Sequence, residues 1–228
     1  MPLDTLRVLP LEVPMPGPIV LTQLAALGHH IHPDHKVLVL TTPSRRHLDD
    51  VQAALPGRSW VVFDRARVHV PRSVVDDAIE VVRREQPNVL LTLGGGAATG
   101  LGKAILREVD GVPLMSVATT YAGSEMTRIW GVQDTVDRQR HKTTGRDDAV
   151  RPQVVVHDAR LLQSLPRRTG VLSLLNALAH PVSALSTGDL DDAQQRRGLQ
   201  VVERVSFAVR QMIHHSQQLD VRQDALAA

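Results

Sequence analysis

The chain has 228 residues, 43% of them apolar and 22% charged, a balance that supports a buried core and excludes a disordered polymer. Net charge is +2 with the histidines neutral, and no lysine-rich run is present, so nucleic acid is not expected as a partner. Cysteine is absent, which excludes disulfides, thiolate catalysis and sulfur-held zinc, and aromatic residues at 2% leave no stacking platform for bases or sugars.

The N-terminal stretch MPLDTLRVLPLEVPMPG has no basic-then-apolar signal pattern, and no apolar run reaches membrane length. A cytoplasmic protein with no membrane partner is therefore expected. The excess of arginine over lysine, with abundant alanine and valine, points to a GC-rich bacterial genome.

Along the chain, GHHIHPDH comes first, placing His29, His30, His32 and His35 within seven residues. Imidazoles at this density can bind a transition metal. The segment precedes a strand, however, and reads as a solvated surface turn; no metal is expected. Short branched runs then follow as buried strands: VLVL at 37–40, WVVF at 60–63, VLLTL at 89–93, LMSVA at 114–118 and VVV at 154–156. Between the second and third, Ser73–Gln86 carries Val75, Ala78, Ile79 and Val82 on one helical face, with Ser73 placed to cap its start. A hairpin with a polar turn is read over 129–145. Strand and helix in this alternation imply parallel pairing and an α/β sheet covered on both faces.

Beyond residue 160 the pattern is helical. Pro166 stands near a start, Pro181 as an interruption, and Val202, Val205, Val209 and Met212 form one apolar stripe in Ala193–His214. The expected division is an α/β domain over 1–162 followed by an all-helical portion over 163–228.

The chemistry-bearing stretch is LTLGGGAATGLGK, residues 91–103. A strand that ends in Gly94-Gly95-Gly96 and enters a helix exposes backbone N–H groups at the positive end of that helix, where a pyrophosphate fits. The same residues also suit a ligand-free tight turn. The loop TTYAGSEMT (119–127) follows the next strand, and loops at the carboxyl ends of neighbouring parallel strands converge on one crevice. Thr119 and Thr120 are thereby candidates to face the same phosphate, with helix capping by Thr120 or Ser124 as the plainer reading.

Four stretches in order, GGGAATGLGKA, VATTYAGSEMTRIWG, KTTGRD and LNALAH, resemble the iron-containing alcohol dehydrogenase superfamily, and its maleylacetate reductase branch most closely. The resemblance implies a dehydroquinate synthase-like architecture, a nucleotide-binding α/β domain followed by a helical domain. It implies an NAD(P)H-dependent reductase acting on a small carbonyl or carboxylate substrate. Gly94, Gly95, Gly96 and Thr99 fall on the phosphate-binding turn, and Thr119 and Thr120 on a second cofactor-contacting loop. Thr41, Thr42 and Pro43 fall beside the adenosine ribose. Lys103 reads as a phosphate partner by resemblance and as a helix-surface lysine by default. Tyr121, Lys142 and Asn176 fall on the substrate side, with His180 as proton donor or substrate ligand.

Several positions depart from the family pattern. Gly100 and Asn176 replace aspartates of the metal-dependent members, so metal-independent chemistry is expected. Ala97 replaces a serine, Ser183 replaces a glutamate, and Pro181 follows His180 directly. The segment Pro16-Gly17-Pro18 lacks the usual glycine-rich form. Arg45 and Arg46 suit either a 2′-phosphate of NADP or plain solvent. The resemblance also implies further helices, with a histidine pair, that this sequence does not contain; His214 and His215 are not their equivalents by position. Two other uses of the same scaffold stay open: a non-redox biosynthetic enzyme that has lost its cofactor, and an interaction protein whose exposed helical face is covered by a second copy or another partner.

Overall fold

Runs of branched apolar residues bury as strands because a parallel sheet is covered on both faces and leaves no solvated side to alternate with. The computed structural model, which describes residues 17–136 and 139–228, shows this directly. Strands β2 (Lys36–Thr41), β4 (Val89–Gly94) and β5 (Leu114–Ala118) are buried almost end to end, as is β8 (Val154–Val156). With β1 (Ile19–Leu21) and β3 (Ser59–Phe63) they form one six-stranded sheet in the order β1-β8-β5-β4-β2-β3, parallel throughout. The α/β class read from the sequence is the one observed.

The helices of this unit are α1 (Leu48–Ala54), α2 (Arg72–Glu85), α3 (Gly96–Ile105) and the single turn α4 (Ala159–Leu162). Val75, Ala78, Ile79 and Val82 of α2 join Ala98, Leu101, Ala104 and Ile105 of α3 over Leu38, Leu40, Leu90 and Leu114 of the sheet. Helix α3 is buried on nearly every side. Strands β6 (Ile129–Val136) and β7 (Gln139–Arg146) form an antiparallel pair, and the turn expected between them lies outside the described residues. One tie between the hairpin and the rest of the unit is Val70, whose carbonyl accepts from Gln133 N–H at 3.0 Å and whose φ is +52°.

The structure corrects two expectations and adds one strand. Helix α2 starts one residue early, at Arg72, with Pro71 as its N-cap, so Ser73 lies inside the first turn and caps nothing. Strand β1 carries no signal strong enough to be read: it has three residues, two of them exposed, on the sheet edge. Pro181 does not interrupt its helix, because α5 runs unbroken from Arg167 to Ser186. The N-terminal stretch examined for a signal pattern, through Pro16, lies outside the described residues.

The chain divides into two compact units, the sheet unit Pro18–Leu165 and a unit containing Pro166–Ala228. The latter comprises α5, α6 (Asp192–His215) and α7 (Leu219–Ala227). Helix α6 begins with a reciprocal capping box, in which Asp191 accepts from Gln194 N–H at 2.8 Å and the Gln194 side chain accepts from Asp191 N–H at 3.0 Å. Among the described residues no helix is long and apolar enough to cross a membrane.

Candidate functional site

Strand order locates the crevice. Strand β2 leads outward to β3 on one side, whereas β4 leads to β5 on the other, so the loops after β2 and β4 diverge. Ligands of open α/β sheets sit at such a divergence, beyond the carboxyl ends of the strands. The segments that end there are Thr41-Thr42-Pro43 and Gly94-Gly95-Gly96.

The glycines are needed by the geometry. Gly94 adopts φ +152°, which L side chains rarely take. A Cβ on Gly95 would lie 2.6 Å from Thr120 Oγ1 and 2.7 Å from Thr120 Cγ2, so the two loops approach with no room for a side chain between them. Thr119 N–H donates to Gly94 O at 3.0 Å, joining the same loops through the backbone. Gly96 opens α3, is exposed, and has no foreign atom within 4 Å of a built Cβ. The first bond of the helix runs from Thr99 N–H to Gly95 O, so the N–H groups of Gly96 and Ala97 precede the ladder and are free of it. Bare amides at a helix start, unobstructed at Gly96, fit a pyrophosphate. Neither Thr120 nor Ser124 caps a helix; the 3-10 turn at Ser124–Met126 has Gly123 as N-cap and no side-chain cap.

Several expected contacts are redirected inward. Thr99 is fully buried and its hydroxyl faces Ser116 Oγ at 3.5 Å, in a polar seam with Thr92, so it does not line the turn. Thr41 is buried too; its hydroxyl donates to Leu93 O at 2.9 Å and pins β2 to β4. Thr42 is half-buried with its hydroxyl 3.0 Å from Ser44 Oγ, and Pro43 is exposed, so both keep their place at the crevice mouth.

Lys103 is neither a surface lysine nor a phosphate partner. It is 0% exposed, and Nζ has four acceptors within hydrogen-bond distance for its three N–H groups: Ser124 O (2.5 Å), Thr127 O (2.7 Å), Thr127 Oγ1 (3.0 Å) and Ile129 O (3.0 Å). One ammonium thus gathers the segment that continues the Thr119–Thr120 loop. Burial lowers its pKa to about 8, with the Glu125 carboxylate opposing the fall. Glu125 is itself buried and meets His157 Nε2 at 2.9 Å, just beyond β8. Sequence reading missed Glu125 and His157; nothing in their local spacing marks two residues 32 apart as partners. Asp158 follows, accepting from Leu24 N–H at 2.9 Å and from the Arg160 guanidinium at 2.5 Å. Burial works against its charge, yet Arg160 and the two backbone donors, Leu24 and Arg160, hold the carboxyl below its ordinary value.

Arg45 and Arg46 are exposed surface arginines, each with a partner. Arg45 pairs with Asp64 at 2.7 Å, and Arg46 donates to Ser164 O at 3.1 Å. Tyr121 is buried at 5% exposure, whereas Lys142 is exposed on β7. In the helical unit, Asn176 and His180 are both exposed and lie one turn apart on α5. Within the apolar stripe of α6, Val205 and Met212 are buried, which is core packing. The four clustered histidines do not converge: His32 and His35 rings are 5.5 Å apart, and among the described residues no three His, Asp or Glu side chains are grouped to hold a metal.

The comparisons agree with this architecture. The family described as "Iron-containing alcohol dehydrogenase" matches residues 17–159. Maleylacetate reductase of Burkholderia cepacia is 38% identical over 192 residues, covering 84% of this chain and 53% of that protein. The same-named protein of Delftia acidovorans is 41% identical over 151 residues, covering 66% of this chain and 42% of its own. The crystal structure of maleylacetate reductase from Agrobacterium tumefaciens superposes with TM-score 0.81 at 30% identity, covering 96% of this chain and 62% of that one. The chain spans about half the length of the curated relatives it matches. With a family match across most of the sheet unit and relatives of this similarity, the chain belongs to the iron-containing alcohol dehydrogenase family.

Proposed function

We propose that the chain is an NAD(P)H-dependent reductase of the maleylacetate reductase type, acting on a small carbonyl-bearing carboxylate. The observation that carries the reading is the contact of the loops after β4 and β5, beside the strand divergence, with Gly95 bare against Thr120. Gly96 and Ala97 would hold the pyrophosphate through their N–H groups, Thr119 and Thr120 would flank it, and Thr42 and Pro43 would meet the adenosine end. Bound nicotinamide supplies the hydride. The chain's own part is to orient the cofactor on rigid strand ends and to anchor the substrate carboxylate with the exposed Lys142. No step is routed through a metal ion.

The test is a titration of the purified chain with NADH and NADPH, followed by nicotinamide fluorescence and by melting temperature, since a ligand that binds only the folded state raises apparent stability. Saturable binding to either nucleotide, followed by nucleotide oxidation on addition of maleylacetate, is the expected result. No response to either nucleotide in both measurements would remove the proposal.

A further inference from the structure

Away from the glycine turn, the loop after β2 carries a second chemical arrangement. Ser164 Oγ lies 2.9 Å from His47 Nε2, and His47 Nδ1 lies 2.7 Å from Asp50 Oδ2. Nucleophile, base and orienting carboxylate are therefore joined in the connectivity that activates a serine hydroxyl. The imidazole is mostly enclosed, with a side chain 13% exposed, while Ser164 is open to solvent. His47 is held at φ +64°, ψ +13°, a left-handed conformation that costs a non-glycine residue about 1 kcal/mol or more and that gathers at functional sites. Arg46 donates to the carbonyl oxygen of Ser164 itself, which brings a guanidinium with further N–H groups to the same residue.

The geometry assigns Ser164 as a nucleophilic serine that accepts acyl groups from small activated esters, with His47 as general base, Asp50 as its orienting partner and Arg46 facing the developing oxyanion. In the first step Ser164 Oγ bonds to the acyl carbon and its proton passes to His47 Nε2. The bond from the acyl carbon to the ester oxygen then breaks, and the imidazolium returns that proton to the departing alcohol. Water, deprotonated by the same nitrogen, attacks the acyl carbon, the bond from that carbon to Ser164 Oγ breaks, and the imidazolium returns its proton to Oγ as the acid leaves. Hydrogen bonding of Nδ1–H to Asp50 keeps Nε2 as the accepting nitrogen throughout. The open position of Ser164 suits compact aryl esters.

The intact chain is treated with a fluorophosphonate probe, located by peptide mass spectrometry, and separately with p-nitrophenyl acetate. The expected result is one phosphonyl adduct, on Ser164, with a p-nitrophenol release that Ser164→Ala abolishes. His47→Gly keeps the left-handed backbone and is expected to slow both reactions about 100-fold, the usual share of a positioned base. Imidazole added to the buffer is expected to restore them. Absence of an adduct on Ser164, an unchanged rate in His47→Gly, or a loss that imidazole does not reverse would each overturn the assignment and reduce the contact to a tie between loops.

Discussion

Thr119 N–H donates to the carbonyl of Gly94 across 3.0 Å, so the loop after β5 is fastened to the end of β4 by main chain alone. The side chain of Thr120 then lies where any side chain on residue 95 would have to stand.

Gly95→Val is accordingly expected to separate these loops. A fall of at least tenfold in NADH affinity is expected, read by fluorescence titration. Stability is expected to drop by about 1–3 kcal/mol, the ordinary range for overpacking, read by urea unfolding.

Lys103 sets a dependence on alkali. Its native pKa of about 8 lies below the unfolded value of 10.5, so between these pH values the unfolded chain holds more of this proton than the native one. Stability from this residue therefore rises as pH increases from 8 to 10.5, by about 3 kcal/mol at most. Below pH 8 the cost of burying the charge is present in full. Urea unfolding of the native sequence and of Lys103→Met across this range is expected to show the native chain gaining on the variant as pH rises.

Glu125 and His157 form the second internal clamp on the same segment. Glu125→Ala leaves an imidazole buried without its carboxylate, at an expected cost of about 2–4 kcal/mol. Faster amide exchange at Thr119 and Tyr121 would show that the loosening reaches the candidate site, whereas unchanged exchange there would confine it to residues 124–129.

Pro181 sits inside α5, where it removes the N–H that would bond the carbonyl of Ala177. Pro181→Ala is expected to stabilise the chain by about 1–3 kcal/mol. The check is a higher melting temperature.

Much of the sheet unit was legible because its central strands are buried on both faces, and such strands announce themselves as branched runs. Strand β1 was not legible, since Ile19 and Val20 are exposed at an edge and three residues give no period. The glycine turn and its neighbour after β5 were found from residue type and strand position. The redirection of Thr41, Thr99 and Lys103 was not. For Lys103 a signal existed: α3 is apolar or small nearly all round, which marks a helix enclosed on every side, so any lysine within it had to find internal acceptors. The Glu125–His157 pair had no such signal, because only the sheet order brings residues 125 and 157 together. Pro181 does not end α5 because a proline removes one bond from the ladder of a 20-residue helix and leaves the others in place.

The pairing of β1 with β8, Ile19 against Val154, also has a temporal meaning. A ribosome delivers the first of these strands long before the last, so the nascent chain carries an unclosed margin until β8 emerges. Pairings between distant parts of a sequence are slow to form. Neither β1 nor the outer edge of β5 has its native neighbour until that strand arrives.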